Sequence, residues 1–110
     1  MGTTLNLPFP SHTTGDVYRR SVDEVVLPAL AAWGPTWLLI SAGFDAHKDD
    51  PLANLQLTEP DFAWATAKIA DIAAKHAGGR LVSMLEGGYN LAALARSVGV
   101  HVKALMEAGA

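Results

Sequence analysis

One stretch limits what this chain can fold into more than any other: Trp37-Leu38-Leu39-Ile40-Ser41-Ala42-Gly43-Phe44-Asp45-Ala46-His47. Four bulky apolar residues run together and stop at Gly43, and two ionisable side chains, Asp45 and His47, follow at once. A short, continuous apolar run bounded by turn residues predicts a strand over 37–41 that is buried on both faces. Strands of this kind belong to parallel sheets, and ligands collect beyond their carboxyl ends. A carboxylate at that place either serves a site or holds a turn.

The flanking sequence supplies the layers such a strand needs. Residues 3–9 alternate loosely, and Pro8 and Pro10 restrict them to a short edge strand. Ser11 to Asp16 is loop chemistry, with Asp16 as the expected N-cap of a helix over 17–33. In that helix Val22, Val25, Val26, Ala29, Leu30 and Trp33 fall at helical spacing, but Pro28 should kink or divide it, and Gly34-Pro35 ends it. Thr58 caps a second helix, with Pro60 in its first turn and Asp61 three residues after the cap. Phe62, Ala65, Ile69 and Ile72 form its apolar face, and Gly78-Gly79 closes it. Leu81 to Leu85 predicts a second buried strand. Asn90 caps a last helix with Leu91, Leu94, Ala95, Val98, Val102 and Leu105 on one face. The order β-α-β-α-β-α predicts an α/β fold, a parallel sheet with flanking helices. Three strands make a thin sheet, so the chain is expected to lack neighbours that such a fold requires.

Composition excludes several functions. Half of the 110 residues are apolar and 17% are charged, which suits one packed domain rather than disorder. The net charge is -3 and no Lys/Arg cluster stands out, so direct nucleic-acid binding is not expected. No apolar stretch approaches a membrane span. There is no cysteine, which fits a reducing, cytoplasmic setting and leaves only His, Asp and Glu as metal ligands.

Asp45 directly after a strand suits a zinc ligand, and equally a turn residue bonded to nearby backbone N–H groups; pattern alone favours the turn. His47 reads as an exposed loop histidine, because two ligands do not make a catalytic zinc site. Asp50, before Pro51, reads as structural. The pair Gly87-Gly88 lets backbone pass close to another group, and Tyr89 beside it could donate its O–H to a developing oxyanion. A tight turn with a packing tyrosine explains the same residues.

Two motifs together are more specific. Ser41-Ala42-Gly43-Phe44-Asp45-Ala46-His47 with Asp50-Pro51-Leu52, and Leu85-Glu86-Gly87-Gly88-Tyr89-Asn90-Leu91, resemble the C-terminal part of the zinc-dependent histone deacetylase and acetylpolyamine amidohydrolase family. The flanks Asn6-Leu7-Pro8, Gly15-Asp16 and Val26 to Leu30 fit as well. The resemblance implies a partial arginase/deacetylase-like three-layer fold, with residues 1–110 as a single C-terminal segment whose N-terminal part lies upstream. It implies that Asp45 is a zinc ligand, that Tyr89 stabilises the oxyanion, and that Gly87 and Gly88 border the substrate pocket. The implied substrate is an acetylated lysine or polyamine. His47 matches no ligand of the family, and no residue matches its other metal ligands or its histidine base. The chain is therefore expected to be inactive alone. The alternative is a truncated, non-catalytic interaction or assembly module, forming a homo-oligomer or associating through its exposed sheet edge.

Overall fold

Two parallel strands, β1 (Leu38–Ala42) and β2 (Leu81–Leu85), lie at the centre of the computed structural model, which describes residues 4–51 and 54–109. Their register runs from Leu38 opposite Leu81 to Ala42 opposite Leu85. Alternation along the strands decides what each face meets. Leu38, Ile40 and Ala42 of β1 turn toward the helices, with Leu81 of β2 beside them. Leu39, Ser41, Val82 and Met84 turn the other way and are exposed, Leu39 at 67% and Met84 at 52%. The strands expected to be buried on both faces are thus covered on one. Their largely apolar composition is that of a sheet with two covers, and the described residues supply a single cover.

The expected edge strand over 3–9 does not form in residues 4–9, and Thr3 lies outside the described residues. Pro8 and Pro10 remove the donors a ladder would need. The chain first pairs after this stretch, where Thr14 forms an isolated parallel bridge with Gln56. Among the described residues the sheet therefore has two strands, and the chain order is helix, strand, helix, strand, helix.

Helix α1 (Gly15–Ser21) starts after Thr14, two positions earlier than sequence implied, so Asp16 sits in the first turn rather than at the cap. The backbone then widens into a π-helical stretch over Val22–Val26 and returns to α geometry in α2 (Leu27–Trp33). Pro28 explains the divide. It has no N–H to give the preceding turn, and its ring would press on the carbonyl four residues back. The wider turn takes up that misfit without ending the helix. Gly34, at φ +68, closes α2 in the left-handed conformation.

Helix α3 (Glu59–His76) begins as the sequence predicts: Asp61 reaches back to accept the Thr58 N–H at 2.9 Å. The same carboxylate takes the Arg19 Nε donor at 2.8 Å, tying α1 to the start of α3. Gly15 passes so close to Asp61 that a side chain there would collide with the carboxylate. Helix α4 (Leu91–Gly109) is rotated from its expected face. Ala93, Ser97 and His101 are its buried residues, while Leu91 and Val102 are exposed. Small and polar residues at i, i+4 and i+8 form the line along which α4 enters the core, a line that apolar periodicity overlooks.

His101 sits in that core against the Phe44 ring. Thr66 Oγ1 donates to the Phe62 carbonyl at 2.7 Å, so it accepts from His101 Nδ1 at 2.7 Å. His101 Nε2 is then the acceptor for the Ser83 hydroxyl at 2.8 Å. Burial holds the ring's pKa below the ordinary histidine value. The unfolded chain therefore takes up this proton at a higher pH than the folded chain does. The stability from a neutral His101 is full above about pH 6.5 and is lost as pH falls toward the depressed folded value. Melting curves are expected to show Tm falling as the pH drops below about 6.5, with a shallower fall in His101→Gln. An unchanged slope in the variant would assign the effect to other groups.

Candidate active site

The loops that follow β1 and β2 leave the same end of the sheet and lie side by side. Glu86 N–H donates to the Ala42 carbonyl at 2.9 Å, and Phe44 N–H donates to the Gly87 carbonyl at 2.9 Å, carrying the parallel pairing past both strand ends. Phe44 is 4% exposed and packs edge-on against Phe62, with ring centroids 5.2 Å apart. It anchors the loop at the residue before Asp45.

The Asp45 carboxylate rests on the backbone of Gly87. A Cβ at Gly87 would lie 2.9 Å from Asp45 Oδ2, and one at Gly43 would lie 3.1 Å from Oδ1. Of the two glycines that sequence marks as allowing a close approach, Gly87 is the one that this carboxylate approaches. Gly88 has φ +141, and a Cβ there would meet Leu94 Cδ1 at 2.7 Å. The two glycines are therefore needed for different reasons. Gly88→Ala is expected to destabilise the chain by about 1–3 kcal/mol through backbone strain and the Leu94 collision. Gly87→Ala is expected to keep most of the stability, because the end of the Asp45 side chain can give way. Urea denaturation of both variants measures the difference, and equal losses would contradict it.

Tyr89 follows two residues after Gly87 and is 57% exposed. Its backbone N–H donates to Asp50 Oδ2 at 2.7 Å, and the Asn90 N–H reaches the same oxygen at 3.3 Å. Asn90 caps α4 as expected, its Oδ1 accepting the Ala93 N–H at 2.9 Å. Asp45, Gly87, Gly88 and Tyr89 are thus brought to one end of the sheet by two adjoining loops. Leu52 of the first motif lies outside the described residues.

His47 corrects the sequence reading. It is 1% exposed, not a surface loop residue, and its ring lies nearly parallel to Phe62. Nδ1 accepts the Asp49 N–H at 3.1 Å, which leaves the proton on Nε2. Nε2 lies 3.2 Å from Glu59 Oε2 but off the line of a good hydrogen bond, so the contact is mainly electrostatic. Glu59 in turn accepts from Arg96 Nε, and Arg96 also approaches Asp49 at 3.4 Å. The Arg96 hydrogen bond, with help from backbone and His47, pulls the Glu59 carboxyl down to about 2. Glu59 and Arg96 carry no signal in the sequence, since their meeting depends on α3 and α4 packing together.

Among the described residues, no three His, Asp or Glu side chains gather closely enough to hold a metal ion. Catalytic zinc generally takes three protein ligands. The Asp45 carboxylate has the donor chemistry of one such ligand and lies just past the end of β1.

Residues 1–105 match the sequence model of the histone deacetylase domain. The chain belongs to the histone deacetylase family. Histone deacetylase 10, chloroplastic, from Oryza sativa subsp. japonica is 47% identical over 105 residues, which are 96% of this chain and 24% of the rice protein. The histone deacetylase-like amidohydrolase of Pseudomonas aeruginosa is 43% identical over 89 residues, 81% of this chain and 23% of that protein. Among solved structures, the HDA15 HD domain superposes with a TM-score of 0.89 at 32% identity, covering 97% of this chain and 30% of that one. This histone deacetylase family chain therefore has the arginase/deacetylase-like α/β fold, and it spans about a quarter of the length of the first two relatives. No helix among the described residues is long and apolar enough to cross a membrane.

Proposed function

We propose that this chain is the C-terminal segment of a zinc-dependent deacylase domain. In that reading it contributes one metal ligand, Asp45, and the oxyanion donor, Tyr89, to the hydrolysis of an acetylated lysine or polyamine. The carrying observation is the Asp45 carboxylate laid on the Gly87 backbone, two residues from Tyr89. The missing side chain at Gly87 is what makes room for the carboxylate there. Zinc, when bound, polarises the acyl carbonyl and activates water. Asp45 would hold the ion from one side, and Gly87 and Gly88 would border the pocket. The Tyr89 O–H would donate to the carbonyl oxygen as it gains charge. The other ligands and the base that takes the water's proton would come from the rest of the domain. A reducing, cytoplasmic setting is part of this proposal; the rice relative is named chloroplastic.

A chimaera tests the reading. The chain replaces the matching 105 residues of the rice protein. Zinc content and release of acetate from an acetyl-lysine peptide are then measured beside the unaltered host. The chimaera is expected to bind zinc and turn over, the isolated chain to do neither, and Asp45→Asn to lose the metal. A folded chimaera without zinc, or turnover by the isolated chain, would overturn the proposal.

The exposed sheet face favours a second reading. Leu39, Val82 and Met84 form an apolar surface of the kind that seeks a cover. As a separate protein the chain would then act as an association module, and size-exclusion chromatography would find it as an oligomer. A monomer with cooperative unfolding removes this reading.

A further inference from the structure

We propose that Asp50 is a positioning residue for Tyr89, holding that tyrosine's backbone against the loop that carries Asp45. The inference rests on the deacylase reading only for its kinetic consequence.

Asp50 is 6% exposed, although it lies in a loop rich in charge. Its Oδ2 accepts from two consecutive backbone amides, Tyr89 at 2.7 Å and Asn90 at 3.3 Å. A helix cap would not need it, since the Asn90 side chain already takes the Ala93 N–H of α4. The Asp50 bonds go instead to the residues just before that helix. A carboxylate bound to backbone N–H groups forms a charge-assisted bond, shorter and stronger than a neutral one.

The link from Asp45 to Asp50 is stiff. The Asp50 N–H donates to the His47 carbonyl at 3.0 Å, and the His47 N–H to Phe44 at 3.3 Å. The Lys48 N–H donates to the Leu57 carbonyl at 2.8 Å, and the Leu57 N–H donates to the Ala46 carbonyl at 3.1 Å. The buried His47 ring fills the inside of the loop and fixes the Asp49 amide. The Tyr89 segment is therefore held twice. Before Asp45 it is bonded through Phe44 N–H and the Gly87 carbonyl. After Asp45 it is bonded through the Asp50 carboxylate. Arg96, across Glu59 and Asp49, braces the second attachment. Two attachments on either side of Asp45 define how far Tyr89 can move relative to it, where one alone would leave a hinge.

Two measurements test this. In the 110-residue chain, the Tyr89 amide is expected to resist hydrogen exchange as an internal bond does. Asp50→Asn, whose amide oxygen can still accept, should weaken that protection, and Asp50→Ala should remove it, while amides in β1 and β2 keep theirs. In the chimaera described above, Asp50→Asn should lower kcat per zinc-loaded molecule by about 10-fold and Asp50→Ala by about 100-fold, with KM and zinc content near the starting values. If Asp50→Ala does not fold, Asp50→Asn decides. A Tyr89 amide exchanging like an exposed loop in the unsubstituted chain overturns the inference, whatever the chimaera does. An active chimaera whose kcat ignores Asp50→Asn also overturns it, and leaves the deacylase reading intact. An inactive unsubstituted chimaera removes the deacylase reading, and the amide measurement still decides how Tyr89 is held.

Discussion

Tyr89→Phe is expected to lower kcat of the zinc-loaded chimaera by about 100- to 1000-fold, with KM and zinc content nearly unchanged. The substitution removes one oxygen and keeps the ring. The residue is 57% exposed, and the bond that holds it in place is made by its backbone N–H. Among the described residues nothing hydrogen-bonds to the phenol, so the isolated variant should melt within about 0.5 kcal/mol of the parent chain. The loss should therefore fall on the step in which the carbonyl oxygen gains charge. A substrate already bound would be held about as well by phenylalanine, which separates this result from a binding defect. Single-turnover rates at saturating acetyl-lysine peptide measure it. A variant within a few-fold of the parent would remove Tyr89 from the chemistry.

The second large effect falls on stability. Phe44→Ala is expected to cost about 3–5 kcal/mol, read as a lower urea midpoint of the 110-residue chain. Phe44 is 4% exposed, lies edge-on to Phe62 and His101, and shares a cluster with Ala42 and Leu57. Its removal would leave a cavity at the junction of β1, α3 and α4. A small domain has only about 5–15 kcal/mol of net stability, so the variant should unfold in part under conditions where the parent does not. Leu91→Ala is the control. Leu91 is 78% exposed on α4 and should change stability by less than about 0.5 kcal/mol. A Phe44→Ala cost no larger than the Leu91→Ala cost would mean that the core is centred elsewhere. Because Phe44 precedes Asp45, the same change should also loosen the carboxylate.

Sequence made some of these elements legible and hid others for identifiable reasons. The β2 strand, the Thr58 and Asn90 starts of α3 and α4, and the glycine stop at 78–79 depend on residues close in the chain, and they stand where local chemistry puts them. Pro28 announces a break, and the backbone answers with a wider turn rather than an end. The rotated face of α4 was hidden because His101 and Ser97 are polar. Their burial depends on hydroxyl partners from α3 and β2 for one, and on close helix packing for the other. His47 misled for a similar reason. A histidine beside charged residues reads as exposed until Phe62 and Glu59 are seen around it.

By itself, the sequence determined the family, the parallel pairing of two apolar strands and the Gly87-Gly88 turn after the second, because each is written in short motifs or short-range periodicity. Only the tertiary structure decided that the Asp45 carboxylate lies on Gly87, that Asp50 holds the Tyr89 amide, and that one face of the sheet is left bare. The physical reason is range. A turn or a cap involves neighbours along the chain, whereas these contacts join residues about 40 positions apart and exist only once the strands have paired and the helices have closed over one side.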